Sequence, residues 1–350
     1  MYDRDGVHAG VHPTASGALT RLAYAQAKVA GISVDPILKK THLTLLQIDN
    51  PSARIRVRDQ INFLNLVANE LQDDFLGFHL GLIPDLRDIG WLYYVAASSE
   101  KLSEALKRAS RYGSIVNEGM SLRYVNNGCV AVAINYVGVS RHLDRHQIES
   151  IMTILLRVCR QLTGLRLTPT RVSFVHRRDR LCSEFIDFFG DKLEFGATAD
   201  ECAFATSIGD TPITSADPFL SRLLITYCEE ALARRPTHSP SFRSTVENAI
   251  VPLLPHGKAR SGEIAYRLGM SQRTFARNLS SEGFTFSGVR ESLRRDLAER
   301  YLADKDLSIS EIAWLLGYQE VSAFTHAFRR WTGDTPRHMR SQPGRLNFSV

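Results

Sequence analysis

An internal repeat constrains this chain more than any other feature. Ile264-Ala265-Tyr266-Arg267-Leu268-Gly269-Met270 recurs 48 residues later as Ile312-Ala313-Trp314-Leu315-Leu316-Gly317-Tyr318. An acid precedes each isoleucine, Glu263 and Glu311. Serines stand just upstream, Ser261 in one copy and Ser308 with Ser310 in the other, placed to cap a helix. Each copy reaches a glycine and continues into a second amphipathic segment, anchored by Phe275 and Leu279 or by Phe324 and Phe328. Helix, glycine turn, helix is the helix-turn-helix. Alanine lets two helices approach, glycine turns the chain where a Cβ would clash, and the large anchors lock the second helix against the first. The outer face of that second helix is left free to enter a major groove.

The outer faces carry suitable chemistry. Gln272, Arg273, Arg277 and Asn278 in the first copy, and Ser322, Thr325, His326, Arg329 and Arg330 in the second, are donors and forked side chains that read base edges or hold phosphates. For any one of them a solvated helix face is the competing reading. Between the copies, residues 286–303 place Val289, Leu293, Leu297 and Tyr301 at a spacing of four, which predicts a joining helix. Eighteen helical residues extend roughly 27 Å. With a helix width added, the two reading helices stand about one turn of DNA apart, roughly 34 Å, so that a monomer spans a bipartite site.

Charge and linker composition set the domain plan. Residues 1–235 carry 27 Lys+Arg against 26 Asp+Glu, whereas residues 236–350 carry 16 against 11, and 14 of those 16 cations are arginine. Arginine's flat fork suits phosphate and guanine, so the excess points to nucleic acid. Near the same boundary the chain reads Arg234-Arg235-Pro236-Thr237-His238-Ser239-Pro240-Ser241, a connector after an amphipathic run. The plan is therefore a sensing and dimerisation domain at 1–235 and a DNA-binding domain at 236–345. The latter comprises a first helix-turn-helix near 261–281, a linker helix at 286–303 and a second helix-turn-helix near 308–331. A length of 350 residues accommodates two such cores.

The first domain reads as α+β. Residues 19–30 and 55–71 have helical apolar spacing. Leu122, Tyr124, Val130, Val132, Ile134 and Tyr136 alternate on one face around Asn126-Asn127-Gly128, a hairpin signature, and 171–176 reads as another strand. Apolar stripes at Ile148–Leu162 and Phe219–Leu232 make each a core helix or a dimer face.

Several classes are excluded or disfavoured. Uninterrupted apolar runs such as Cys129 to Ile134 fall far short of the roughly 18 residues of a membrane span, and the first residues lack a signal-peptide pattern, so a cytoplasmic protein is expected. Five cysteines, never in C-x-x-C, read as buried apolar residues without disulfides. G-x-S-x-G, phosphate-loop, G-x-G-x-x-G and H-E-x-x-H patterns are missing, so neither catalysis nor a cofactor is expected. His142 and His146 flank Asp144 at helical spacing, but no further ligand follows, and they read as a surface pair rather than a metal site. The basic runs Arg54–Arg58 and His176–Arg180 read as solvated faces, with contact to an anionic ligand as the alternative.

Residues 261–340 resemble the DNA-binding domain of the AraC/XylS family of bacterial transcription regulators. The second copy carries Ile312-Ala313, Leu316-Gly317-Tyr318, Glu320, Ser322, Phe324, Phe328-Arg329, Gly333, Thr335-Pro336 and Arg340 over 29 positions. Residues 19–232 more loosely resemble the arabinose-binding-like domain of a subgroup, through Asp73–Gly81, Ser98–Tyr112 and Val172–His176. The resemblance implies base-facing roles for Arg273, Ala276 and Arg277, and for Val321, Ser322, Thr325 and His326. It departs from the family at His326, where arginine is frequent, and at Ala276, where a polar residue is frequent. What it implies is an activator bound to double-stranded promoter DNA, contacting RNA polymerase, homodimeric, and controlled by a small-molecule effector. A ligand-independent regulator, governed by abundance or by a protein partner, remains the alternative.

Overall fold

A computed structural model describes residues 13–136, 143–178, 180–234, 242–255, 257–303 and 307–341. These divide into two compact units, one N-terminal to Ser239 and one C-terminal to Pro240.

The N-terminal unit is α+β. In chain order it runs β1 (Thr14–Ala15), α1 (Ala18–Val29), α2 (Asp35–Lys40), α3 (Leu45–Asp49), β2 (Ile55–Arg56), α4 (Val57–Leu71), α5 (Leu76–Leu82), α6 (Trp91–Ala97) and α7 (Leu102–Tyr112). It continues with β3 (Met120–Asn126), β4 (Val130–Tyr136), α8 (Arg145–Thr163), β5 (Arg171–Phe174), α9 (Ser183–Phe189), β6 (Leu193–Phe195), β7 (Asp200–Phe204) and α10 (Pro218–Ala233). The main sheet has the order β3-β4-β7-β5-β6, antiparallel except for β5 with β6. The expected hairpin forms, with Leu122 opposite Ile134, Tyr124 opposite Val132, and Gly128 at φ +74° in its turn. One correction concerns 55–71, whose first two residues pair with β1 as β2 before the helix begins.

One stripe of α8, Ile148, Met152, Leu156 and Cys159, covers Val130, Val132, Ile134, Val172, Phe174, Cys202 and Phe204 of the sheet. On its other side α8 meets α5 at very short range. A Cβ on Gly77 would lie 2.1 Å from the His146 carbonyl oxygen, and one on Gly81 would lie 2.6 Å from Thr153. Glycine four apart is what lets these helices touch. Helices α1, α2 and α4 add a further layer through Ala23, Ala27, Ile37, Leu38, Phe63 and Val67.

Two readings are overturned here. His146 is buried, not a surface residue, and its Nδ1 accepts a hydrogen bond from the Gly77 amide at 3.3 Å; burial pushes its pKa down to about 3, so it is neutral. Its proposed partner His142 lies outside the described residues. The run at 176–180 is not simply solvated either. Arg178 has only 1% of its side chain exposed; it donates from Nε to Glu149 at 2.6 Å and from Nη1 to Asp74 at 2.6 Å, and it stacks over Phe75 at 3.9 Å. Neutral His176 donates from Nε2 to the same Glu149 oxygen at 2.8 Å. Burial raises the Glu149 pKa, but the hydrogen bonds from His176 and Arg178 outweigh it and hold the carboxylate ionised. The run therefore ties the chain after β5 to α8. Cys159, Cys202 and Cys228 are buried, Cys129 and Cys182 half-buried, and all five are free thiols.

The C-terminal unit is helical: α11 (Phe242–Ile250), α12 (Ser261–Arg267), α13 (Gln272–Ser281), α14 (Phe286–Ala303), α15 (Ile309–Leu315), α16 (Val321–Thr332) and α17 (Pro336–Ser341). A single apolar cluster, with Ile264, Phe275, Leu279, Val289, Leu293, Leu297, Ile312, Phe324 and Phe328 at its centre, unites them.

Candidate nucleic-acid interface

Both copies of the repeat build the same turn. In the first, the Gly269 amide donates to the Tyr266 carbonyl at 3.0 Å and the Met270 amide to Ala265 at 3.0 Å. In the second, Gly317 donates to Trp314 at 2.9 Å and Tyr318 to Ala313 at 2.9 Å. This is the paired helix-ending pattern that needs a left-handed residue, and the glycines supply φ +68° and +76°. Each first helix buries its Ile-Ala pair, and each second helix buries its two anchors.

The helix starts differ. Ser308 caps α15 reciprocally with Glu311: its hydroxyl accepts from the Glu311 amide at 3.1 Å, and the Glu311 carboxylate accepts from the Ser308 amide at 2.7 Å. Ser261 makes no such cap. It is the first helical residue of α12, Arg260 holds the cap position without a side-chain bond, and Glu263 pairs instead with Arg267 at 2.9 Å. Spacing from the isoleucine did not separate these cases, because one residue of register decides whether a serine stands before or inside the helix.

On α13, Gln272, Arg273, Ala276 and Arg277 are exposed and Asn278 is half-buried; Arg273 and Arg277 lie on the side away from Phe275 and Leu279, whereas Gln272 stands on the anchor side, beside Gly262 of α12. Among the described residues Arg273 and Arg277 have no ion-pair partner. On α16, Val321, Ser322, His326, Arg329 and Arg330 are exposed, and half-buried Thr325 returns its hydroxyl to the Val321 carbonyl at 2.9 Å. Arg330 is engaged: its Nη2 lies 3.1 Å from both carboxylate oxygens of Glu291 on α14. The structure thus brings Arg273 and Arg277 to one exposed helix face and Ser322, His326 and Arg329 to another, and leaves Gln272 off the first. One cation of the second face also ties α16 to the joining helix.

Helix α14 spans Phe286–Ala303 with Val289, Leu293 and Leu297 buried. It touches both copies. Phe286 meets Phe275 edge-on at 5.8 Å, and the Arg294 guanidinium lies 4.6 Å from the Tyr318 ring. Sequence reading missed α11, whose first amides donate to Glu282 at 2.6 and 2.9 Å, fixing it to the end of α13. The Pro/Ser-rich run before it obscured that helix. Among the described residues no group of three or more His, Cys, Asp or Glu side chains is arranged to hold a metal, and no helix is long and apolar enough to cross a membrane.

Comparison with known proteins agrees with this geometry. Residues 31–213 match the arabinose-binding domain of AraC transcription regulators, and residues 264–342 match a helix-turn-helix domain. The HTH-type transcriptional regulator VirS of Mycobacterium tuberculosis is 29% identical over 81% of this chain and 84% of its own length. The ornithine utilization regulator of Pseudomonas aeruginosa is 27% identical over 93% of this chain and 97% of its own. A crystal structure of the transcriptional regulator CdpR from Pseudomonas aeruginosa aligns over 93% of this chain and 98% of its own, with 20% identity and a TM-score of 0.43.

Proposed function

The chain belongs to the AraC family of DNA-binding transcription regulators, and on that premise we propose that it is a cytoplasmic, homodimeric activator controlled by a small molecule bound in its N-terminal unit. It reads promoter DNA through α13 and α16, contacts RNA polymerase there, and uses no cofactor. The observation that carries this reading is the pair of identically turned helix-turn-helix copies, each presenting a polar outer face. Arg273 and Arg277 supply forked donors for guanine or phosphate, and Gln272 and Asn278 supply amides that suit adenine or phosphate. Ser322, Thr325 and His326 read the second half-site beside Val321, while Arg329 and Arg330 lie toward the backbone.

A ligand acts only through differential affinity for two conformations, so the effector must favour the DNA-binding state by a few kcal/mol. A ligand present at about 100 times its Kd stabilises the native chain by about 2.7 kcal/mol. Candidate effectors are therefore those that raise the melting temperature of the full chain and change its DNA affinity.

The test is selection of genomic fragments from the source organism on the purified protein beside Arg277→Ala. Recovery of a few promoters with two half-sites about one helical turn apart, lost in the variant, is the expected result. Equal retention of unselected fragments by both proteins would overturn sequence-specific reading.

A further inference from the structure

Arg330 is the third member of a row along α16. It follows Ser322 and His326 at intervals of four, the spacing at which helix residues stand one above another, and all three are exposed. The row assigned to DNA therefore ends in a cation, and that cation already has an acid. The Arg330 Nη2 donates to both carboxylate oxygens of Glu291 on α14, each at 3.1 Å, and Glu291 is the only acceptor it meets among the described residues. The cations beside Glu291 on α14 face other groups. Arg290 donates to the Ala259 carbonyl at 3.3 Å, and Arg294 lies over the Tyr318 ring at 4.6 Å.

The first copy has no counterpart. With Phe275 set against Phe324 and Leu279 against Phe328, Ser281 takes the place of Arg330, and its hydroxyl returns to the Asn278 carbonyl at 2.8 Å. Stability does not explain the pair either. Its side chains are 63% and 43% exposed, and an ion pair so open to water adds little. One guanidinium nitrogen is used, short of the two-nitrogen fork that makes such pairs strong. A carboxylate and a DNA phosphate offer a guanidinium the same target, oxygens that share a negative charge. Whichever of them Arg330 holds, the pair as a whole brings no net positive charge to the duplex. Backbone affinity counts the phosphates that a protein neutralises, and Arg330 drops out of that count.

We propose that Glu291 is an internal stand-in for a DNA phosphate: it occupies Arg330 at the end of the α16 row, withholds that cation from the DNA backbone, and so weakens the hold of the chain on DNA of any sequence. Backbone contacts carry no sequence information, and random DNA far outnumbers any target, so withholding one reduces competition from wrong sites. The inference rests on the DNA-reading function proposed above.

Binding of the full chain to a random-sequence duplex over a range of salt concentrations tests it. One added phosphate contact steepens the plot of log K against log salt by about 0.9, which amounts to about eightfold at roughly 0.1 M salt when the lines meet near roughly 1 M. Glu291→Gln is expected to show that slope and that gain, and Glu291→Gln/Arg330→Gln to return to the wild-type slope. Ethylation of single phosphates then locates the contact on a promoter recovered by fragment selection. Glu291→Gln is expected to become sensitive at one or two phosphates of the second half-site that the wild type tolerates, and the double variant to lose that sensitivity. A gain in affinity without any such position would be a general effect of charge and would overturn the proposal. So would an unchanged or weaker affinity of Glu291→Gln. If fragment selection returns no promoter, sequence-specific reading fails, and the salt slopes on random DNA still decide whether Glu291 withholds Arg330.

Discussion

The first and second helix-turn-helix copies share an inner face and part company outside it. Ile264-Ala265 and Ile312-Ala313 are buried alike, and both turns close with the same pair of amide bonds. Beyond that core, the first copy has an uncapped leading helix and, on its second helix, two arginines without ion-pair partners among the described residues. The second has a reciprocal cap, an exposed histidine, His326, on its second helix, and an arginine engaged by the joining helix. Packing holds the repeat in common, whereas capping and outer-face chemistry vary because neither alters the helix–helix contact. On the function proposed above, the first copy is the one equipped for strong base contacts; the second is held against α14 through Arg330 and Glu291.

The two turn glycines offer the sharpest break in the comparison. Both have positive φ, yet a Cβ on Gly317 would lie 2.3 Å from the Leu254 carbonyl oxygen, while one on Gly269 meets nothing within 4 Å. Gly269→Ala is expected to cost about 1–2 kcal/mol from its backbone conformation alone. Gly317→Ala adds a backbone clash and is expected to cost about 3 kcal/mol or more. Urea denaturation of both variants checks the order, and equal losses would show that the second turn yields as easily as the first.

Base reading comes next in size. Arg277→Ala is expected to weaken binding at the specific site by about 1–3 kcal/mol and binding to random DNA much less. His326→Ala should cost less than that at the same site, and His326→Arg should tighten it. Titrations must share one salt concentration. A larger loss at His326 would reverse the assignment of the stronger reader.

Helix α14 makes its own pH-dependent contribution. Burial, with Glu247 and Glu299 nearby, pushes the Asp296 carboxyl up to about 7 from 3.8. Over that interval the folded chain keeps a proton that the unfolded chain has released, so stability falls as pH rises through it. Asp296→Asn is therefore expected to stabilise the chain by about 2 kcal/mol at pH 8 and to change little near pH 4. Melting curves at the two pH values measure the difference. Hydrogen exchange in α13 and α16 then shows whether both copies gain together.

The smallest effect separates the caps. Ser308→Ala is expected to cost about 1 kcal/mol. Ser261→Ala, whose hydroxyl caps nothing, should stay within about 0.5 kcal/mol. The same denaturation experiment reads both.

Much of this architecture is legible before any coordinates. Repeats, glycine turns, the Asn-Gly hairpin and the stripes of α8, α10 and α14 are local patterns in which each side chain's neighbours lie three, four or two residues away. Arg178 and His146 were not legible, because what surrounds them comes from distant segments: Asp74 and Glu149 for one, the Gly77 amide for the other. A basic run and a histidine pair look the same in sequence whether water or a carboxylate faces them. Strands β6 and β7 escaped for a related reason. They are short, and β6 acquires its pairing only from β5.

By itself the sequence determined the two helix-turn-helix copies, the helix between them, the concentration of arginine at that end and the family to which the chain belongs, since all of these follow from short-range periodicity and motif. Only the tertiary structure decided which serine caps, which glycine admits no side chain and which arginine is engaged by Glu291. Those outcomes depend on angstrom-scale approach between segments far apart in the chain, where one residue of register or one backbone oxygen settles the matter.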